Sequence, residues 1–169
     1  MQILLTLLVW TLASFSDVQL AGRIVRSDSV LVRAVIDGNT IDVVPLGHVR
    51  LLGIDAPAVG SRSKSGEPFG VEARNRLAGI LINRWIRLEH EAGEGRAAYV
   101  TTGDGVFVNA LIVREGLARV TARASLARFD ELKSAERDAQ LSRRGMWSGS
   151  AQISSPSYTR APKIKKRRQ

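Results

Sequence analysis

Residues 30–44 read VLVRAVIDGNTIDVV. Two runs rich in β-branched residues, Val30 to Ile36 and Thr40 to Val44, flank the segment Asp37-Gly38-Asn39. An Asp-Gly pair between two apolar runs favours a tight turn that joins antiparallel strands. This stretch therefore predicts a β-hairpin. A third apolar run, His48 to Ile54, follows after a short connection and predicts the next strand of a meander.

The apolar spacing changes after residue 58. A polar loop from Ala58 to Pro68 leads to a helix that begins at Gly70, with apolar residues on one stripe. Residues 85–88 and 97–101 predict two more strands, and residues 108–115 and 126–144 predict helices that end at glycine. Five strands and three helices predict an α+β fold, a five-stranded OB-type β-barrel. We expect Trp85 and Trp147 to pack in the core or against helix ends.

The two ends of the chain differ from its middle. Residues 24–148 are predicted to form one folded domain, whereas residues 1–16 form an apolar run with small residues at its end. This run is typical of a signal peptide cleaved after Ser16, although it lacks a Lys or Arg. We therefore expect a secreted or periplasmic protein. A membrane anchor and an incorrectly assigned start codon are the alternatives.

The net charge of +9 is concentrated at the C-terminal end. Six cations lie in the last ten residues, which leaves a net charge of +3 on the rest of the chain. We interpret residues 149–169 as a disordered linker and a basic arm attracted to nucleic-acid phosphates or to an anionic membrane surface. The basic arm contains Lys163, Lys165, Lys166, Arg167 and Arg168. With no cysteine and two isolated histidines, the sequence supports neither disulfides nor a zinc site.

Several short motifs occur in one order across the predicted domain. They are VIDGNT (35–40), VRLLGIDAP (49–57), PFG (68–70), GR (95–96), VN (108–109), GLA (116–118) and RGMW (144–147). Each fragment is weak, but together the segment from about Val30 to Trp147 resembles the thermonuclease (staphylococcal nuclease-like) family. The resemblance implies an OB-type barrel and calcium-dependent hydrolysis of phosphodiesters in single-stranded DNA or RNA.

The resemblance also implies a calcium site. Asp55 matches one carboxylate ligand of the family, and the residue after it, Ala56, would ligate through its backbone carbonyl. Asn39 stands where the family has a second aspartate. Because calcium prefers several carboxylates among six to eight oxygen ligands, Asn39 implies weak binding of Ca²⁺. Asp42 is expected to project from the opposite face of its strand and not to replace this ligand.

The catalytic positions are only partly retained. Arg50 and Arg96 match the family's two phosphate-gripping arginines, whereas Ala58 stands where its glutamate orients or deprotonates the attacking water. A methyl group can do neither, and a positioned base contributes typically about 10²- to 10⁴-fold. The positions of nucleotide-stacking tyrosines are also changed; they hold Glu94, Ala122 and Ala124.

We interpret the chain as a monomeric, exported, thermonuclease-like domain. It is expected to bind single-stranded DNA or RNA through Arg50, Arg96 and the basic arm, with hydrolysis lost or weakened. One alternative is an active calcium-dependent nuclease with an unusual base, for which Glu67 in the loop before the first helix is the candidate. The other is a non-enzymatic module that binds an acidic protein or a membrane.

Overall fold

The structure, a computed structural model, describes residues 24–61 and 63–149. The predicted signal peptide and the predicted linker and arm beyond residue 149 lie outside these residues. The strands are β1 (Val25–Arg26), β2 (Val30–Asp37), β3 (Thr40–Val44), β4 (Gly47–Leu51), β5 (Ile54–Asp55), β6 (Trp85–His90), β7 (Ala97–Thr102) and β8 (Arg119–Val120). The helices are α1 (Gly70–Leu81), α2 (Val108–Arg114) and α3 (Phe129–Leu141), followed by a 3₁₀ turn, Gly145–Trp147.

Five of the strands form a closed barrel. They pair in the order β6-β2-β3-β4-β7, and pairing of β6 with β7 closes the ring. All these pairs are antiparallel except β4 with β7. The predicted five-stranded OB-type barrel with three helices is confirmed. No helix in the described part of the chain has the length and apolar character needed to cross a membrane.

The predicted hairpin is confirmed and reaches towards α1. Asp37 pairs with Thr40, so Gly38 and Asn39 form a two-residue turn between β2 and β3. A Cβ atom at Gly38 would lie 2.6 Å from Ala56 Cβ and 2.7 Å from Ala73 Cβ. Only a residue without a side chain allows this approach, which places Asn39 beside the chain that follows β5.

The third predicted strand, His48 to Ile54, is divided in two. β4 ends at Leu51, and Gly53 adopts a φ of 80°, which turns the chain out of the barrel. Ile54 and Asp55 then pair with β8 instead. The apolar run continues through this break because residues on both sides of it are buried. The apolar run therefore predicted correctly that these residues are buried, but the prediction that they form one continuous strand was wrong.

Two other expectations are corrected. The third helix spans Phe129–Leu141 and not residues 126–144, because the chain before it forms hydrogen-bonded turns and Arg143 adopts a φ of 49° after it. Trp85 is 60% exposed and does not pack in the core. It lies at the first position of β6 with its side chain on the outer face of the barrel.

Two buried polar side chains, Asn109 and Tyr99, form hydrogen bonds within the core. Asn109 of α2 is fully buried, donates to Leu52 O (2.9 Å) and accepts from Val100 N (2.9 Å). These bonds hold the segment after β4 against β7. On β7 itself, Tyr99 donates to Glu91 Oε1 (2.6 Å). Burial, together with this bond, raises the pKa of Tyr99, so the phenol is a neutral donor.

Candidate active site

Asp55 is the centre of the candidate site. Its position depends on β8, which is fixed by a bond from Val120 N to Glu136 Oε1 of α3 (2.8 Å). The Asp55 side chain is 52% exposed, and its Oδ1 accepts a hydrogen bond from Arg50 Nη2 at 2.5 Å. An ion pair this exposed contributes only about 0–1 kcal/mol to stability. The ion pair matters instead because it holds the Arg50 guanidinium at the end of β4.

Asn39 presents its amide nitrogen to this carboxylate. Asn39 Nδ2 donates to Ile54 O and to Asp55 Oδ1, both at 3.2 Å, and the residue is 5% exposed. A peptide carbonyl and a carboxylate can only accept, so these two partners determine which end of the amide faces them. The amide therefore bridges the β2–β3 turn to β5 as a donor. Its oxygen is not the atom directed at Asp55.

The predicted calcium ligands share one cavity, but their donor set fits the ion poorly. Asp55 supplies a single carboxylate, which is already paired with Arg50, and Asn39 turns its nitrogen towards it. Calcium prefers several carboxylates among its oxygen ligands. Across residues 24–61 and 63–149 there is no group of three or more His, Cys, Asp or Glu side chains that could hold a metal ion. Ala56 follows Asp55 in the cavity wall.

The cavity beside Asp55, here called the Asp55 cavity, has a volume of about 530 Å³. It is lined by Ile36, Asp37, Asn39, Thr40, Arg50, Asp55, Ala56, Pro57, Ala58, Val59, Gly60 and Glu67. A second cavity of about 400 Å³ shares Asp55 and Glu67 with it and adds Arg119 and Thr121. A third of about 200 Å³ shares Arg50 with the first and Thr121 with the second. The three cavities therefore adjoin one another around β5.

The loop between Ala58 and Glu67 closes on itself at the edge of the Asp55 cavity. Ala58 N donates to Glu67 Oε2 at 2.9 Å, and Glu67 N donates to Ala58 O at 2.9 Å. Within the loop, a Cβ atom at Gly60 would lie 2.5 Å from Gly66 N, so the two glycines cross in close contact. The sequence indicated a polar loop without regular structure. The structure adds that its two ends meet.

Asp42 lies away from the site, as expected. Its carboxylate accepts a hydrogen bond from Arg33 Nε at 2.7 Å, and the residue is 5% exposed.

Arg96 is brought only partly to the site. Its carbonyl accepts a bond from Arg50 N (3.4 Å), but its Nη1 lies 3.9 Å from where a Cβ atom of Gly47 would be, at the other end of β4. The lysines and arginines of the basic arm lie outside the described residues.

Two arginines that sequence reasoning did not select lie around the site. Arg123 Nη2 pairs with Glu94 Oε1 at 3.1 Å, and both line the third cavity with Arg50. Arg119 pairs across the β5–β8 ladder with Asp55 and lies 5.3 Å from the ring centre of Trp147. Arg123 stands between two of the changed tyrosine positions, which was a usable signal. The sequence around Arg119 contained no such signal, because only the β5–β8 pairing brings Arg119 to Asp55.

Comparisons with known proteins match this chain to one family of nucleases. The family model described as "Staphylococcal nuclease homologue" matches residues 48–149, more than half of the chain. The thermonuclease of Staphylococcus intermedius is 35% identical over 132 residues, which cover 73% of this chain and 78% of that protein. The micrococcal nuclease of Shigella flexneri is 29% identical over 128 residues, or 68% of this chain and 70% of that protein. The SPbeta prophage-derived endonuclease YokF of Bacillus subtilis is 30% identical over 149 residues; they cover 82% of this chain and half of YokF.

Proposed function

Because the chain belongs to the staphylococcal nuclease family, we propose that it binds single-stranded DNA or RNA and hydrolyses phosphodiesters weakly or not at all. One observation carries the proposal. The site keeps Arg50, held by Asp55 where two cavities meet, but position 58 offers only a methyl group. The retained arginine therefore supports phosphate binding, whereas the residue at position 58 does not support rapid cleavage.

Binding is supported by the exposure and geometry of Arg50. Its side chain is 59% exposed, and one guanidinium nitrogen is held by Asp55 Oδ1. The guanidinium has other N–H groups, which suit two oxygens of a phosphate. Arg119 and Arg123 line the adjoining cavities and add positive charge along the path that a single strand would follow. In this proposal Arg96 and the basic arm contribute further phosphate contacts.

Weak hydrolysis is proposed because carboxylates are missing at two positions of the site, 39 and 58. Position 58 lacks the family's glutamate, which corresponds to a loss of about 10²- to 10⁴-fold. Asn39 directs its nitrogen at Asp55, which leaves Asp55 as the one carboxylate among the predicted calcium ligands, so calcium binding is proposed to be weak. We also propose that the protein is an exported monomer, with residues 1–16 as its export signal.

Binding is tested with the full chain and a fluorescent single-stranded oligonucleotide, by anisotropy across a salt series. Arg50→Ala should weaken binding by about 10-fold or more, because charged hydrogen bonds contribute about 1.5–3 kcal/mol. Arg87→Ala, an exposed arginine on β6, is the matched control and should change little. Deleting residues 160–169 should reduce the salt slope by up to about 4 if six phosphates are contacted. No measurable affinity in the intact chain would contradict the proposal and favour an acidic protein or a membrane as the partner.

Hydrolysis is tested by digesting the same oligonucleotide with calcium present. We expect cleavage to be slower by about 10² or more than with the Staphylococcus intermedius thermonuclease. Cleavage at a rate similar to that enzyme, and abolished by Arg50→Ala, would contradict the weakened site.

A further inference from the structure

Ala58, which lacks a catalytic side chain, is hydrogen-bonded to the carboxylate of Glu67. Glu67 is nine residues along the chain from Ala58, and its Oε2 accepts the hydrogen bond from Ala58 N at 2.9 Å. The second bond, from Glu67 N to Ala58 O, fixes the backbone of Glu67 at the same place. The loop thus returns a carboxylate to the part of the cavity wall where position 58 supplies none.

The other two carboxylates of the Asp55 cavity each bond Arg50 or Asn39 through one oxygen, and neither bonds Ala58. Asp55 Oδ1 accepts from Arg50 and from Asn39 Nδ2, and Asp37 Oδ1 accepts from Asn39 N at 2.9 Å within the turn. Glu67 is exposed, lines both the Asp55 cavity and the adjoining 400 Å³ cavity, and uses Oε2 for its bond. Its Oε1 accepts no hydrogen bond from any described residue. Glu67 is therefore both anchored and free to contact a water molecule.

We infer that Glu67 is the catalytic residue that takes a proton from the attacking water in the hydrolysis that remains at this site. The inference rests on the proposed function, because it concerns the same cavity and the same phosphodiester substrate. A carboxylate that is held by one oxygen and open at the other meets the need of a general base for fixed position and access to water.

The reaction step needs only water as co-reactant. The water oxygen forms a bond to phosphorus while its proton passes to the Glu67 carboxylate. The bond from phosphorus to the leaving oxygen breaks, and that oxygen takes up a proton from solvent. Arg50 donates to a non-bridging phosphate oxygen, where negative charge increases. Loss of the proton from Glu67 to solvent completes the cycle.

The test compares Glu67→Gln with Glu72→Gln in the full chain. Glutamine keeps a carbonyl that can accept the bond from Ala58 N but cannot take up a proton, whereas Glu72 is an exposed glutamate in the first turn of α1. Glu67→Gln should lower the single-turnover cleavage rate by about 100-fold or more and remove the acid limb of its pH profile. The Kd for the oligonucleotide should stay within about 2-fold, and Glu72→Gln should change neither.

Two further variants guard against a purely structural effect. Glu67→Asp keeps the charge but retracts the carboxylate by one methylene, so it should also slow cleavage. Adding Ala58→Glu to Glu67→Gln should restore cleavage, because the carboxylate returns to the same wall of the cavity. Unchanged cleavage in Glu67→Gln, or no cleavage by the intact chain at any concentration, would refute the role of Glu67. Intact binding in those cases would leave the proposed nucleic-acid function standing, whereas loss of binding would refute that function instead.

Discussion

Replacing Asn39 by aspartate should make the stability of this protein depend on calcium. The change replaces the Asn39 amide nitrogen, which lies 3.2 Å from Asp55 Oδ1 and from Ile54 O, with an oxygen that can only accept. Two favourable bonds become two repulsive contacts. In the same step, the site gains the second carboxylate that a divalent cation prefers.

Two unit charges 3.2 Å apart repel by about 1 kcal/mol in bulk water and about 5 kcal/mol at an effective dielectric constant of about 20. Asp55 is half exposed and paired with Arg50, which favours the lower part of that range. With the lost hydrogen bonds, we expect Asn39→Asp to lower the free energy of unfolding by about 2–4 kcal/mol.

The assay is thermal unfolding in chelator and in a calcium series. For a domain of this size, the expected loss lowers Tm by on the order of 10 °C in chelator. Calcium at about 100 times its Kd should return about 2.7 kcal/mol to Asn39→Asp, and the unmodified protein should respond much less. Asn75→Asp, an exposed position on α1, is the control. Equal stability of Asn39→Asp and the unmodified protein in chelator would refute the donor role assigned to the Asn39 amide.

Three other predictions concern catalysis, the core and acid stability. Asn39→Asp combined with Ala58→Glu should produce calcium-dependent cleavage of single-stranded DNA, and an inactive double variant would mean that the rest of the site has diverged further. Asn109→Ala removes three buried hydrogen bonds and should cost about 3–5 kcal/mol in urea unfolding, against little change for Asn75→Ala. Burial raises the pKa of Glu89, but two adjacent arginines outweigh it and hold the pKa below its usual value. Its contribution to stability is present above the usual carboxyl pKa and is lost as the pH falls through the lowered one, so Glu89→Gln should flatten the fall in unfolding free energy between about pH 5 and pH 3.

Local patterns were sufficient where the contacts are local or periodic. The turn at Gly38 and Asn39 was predictable because few residue pairs fit a two-residue hairpin, and α1 was predictable because its buried residues, Ala73, Leu77 and Leu81, repeat at helical spacing. The family motifs predicted that Arg50 and Asp55 share one site, and the structure places Arg50 Nη2 2.5 Å from Asp55 Oδ1.

The tertiary structure decided what periodicity does not report. An apolar run cannot show that Gly53 turns the chain out of the barrel, because the residues on either side are buried in both cases. An asparagine at position 39 can offer oxygen or nitrogen, and only the two acceptors packed against it determine the choice. Ala58 and Glu67 are joined through an irregular loop without a repeating pattern, so no sequence rule relates them. The sequence thus identified the missing glutamate and offered Glu67 as a candidate base, and only the folded loop showed that the Glu67 carboxylate bonds the backbone of Ala58.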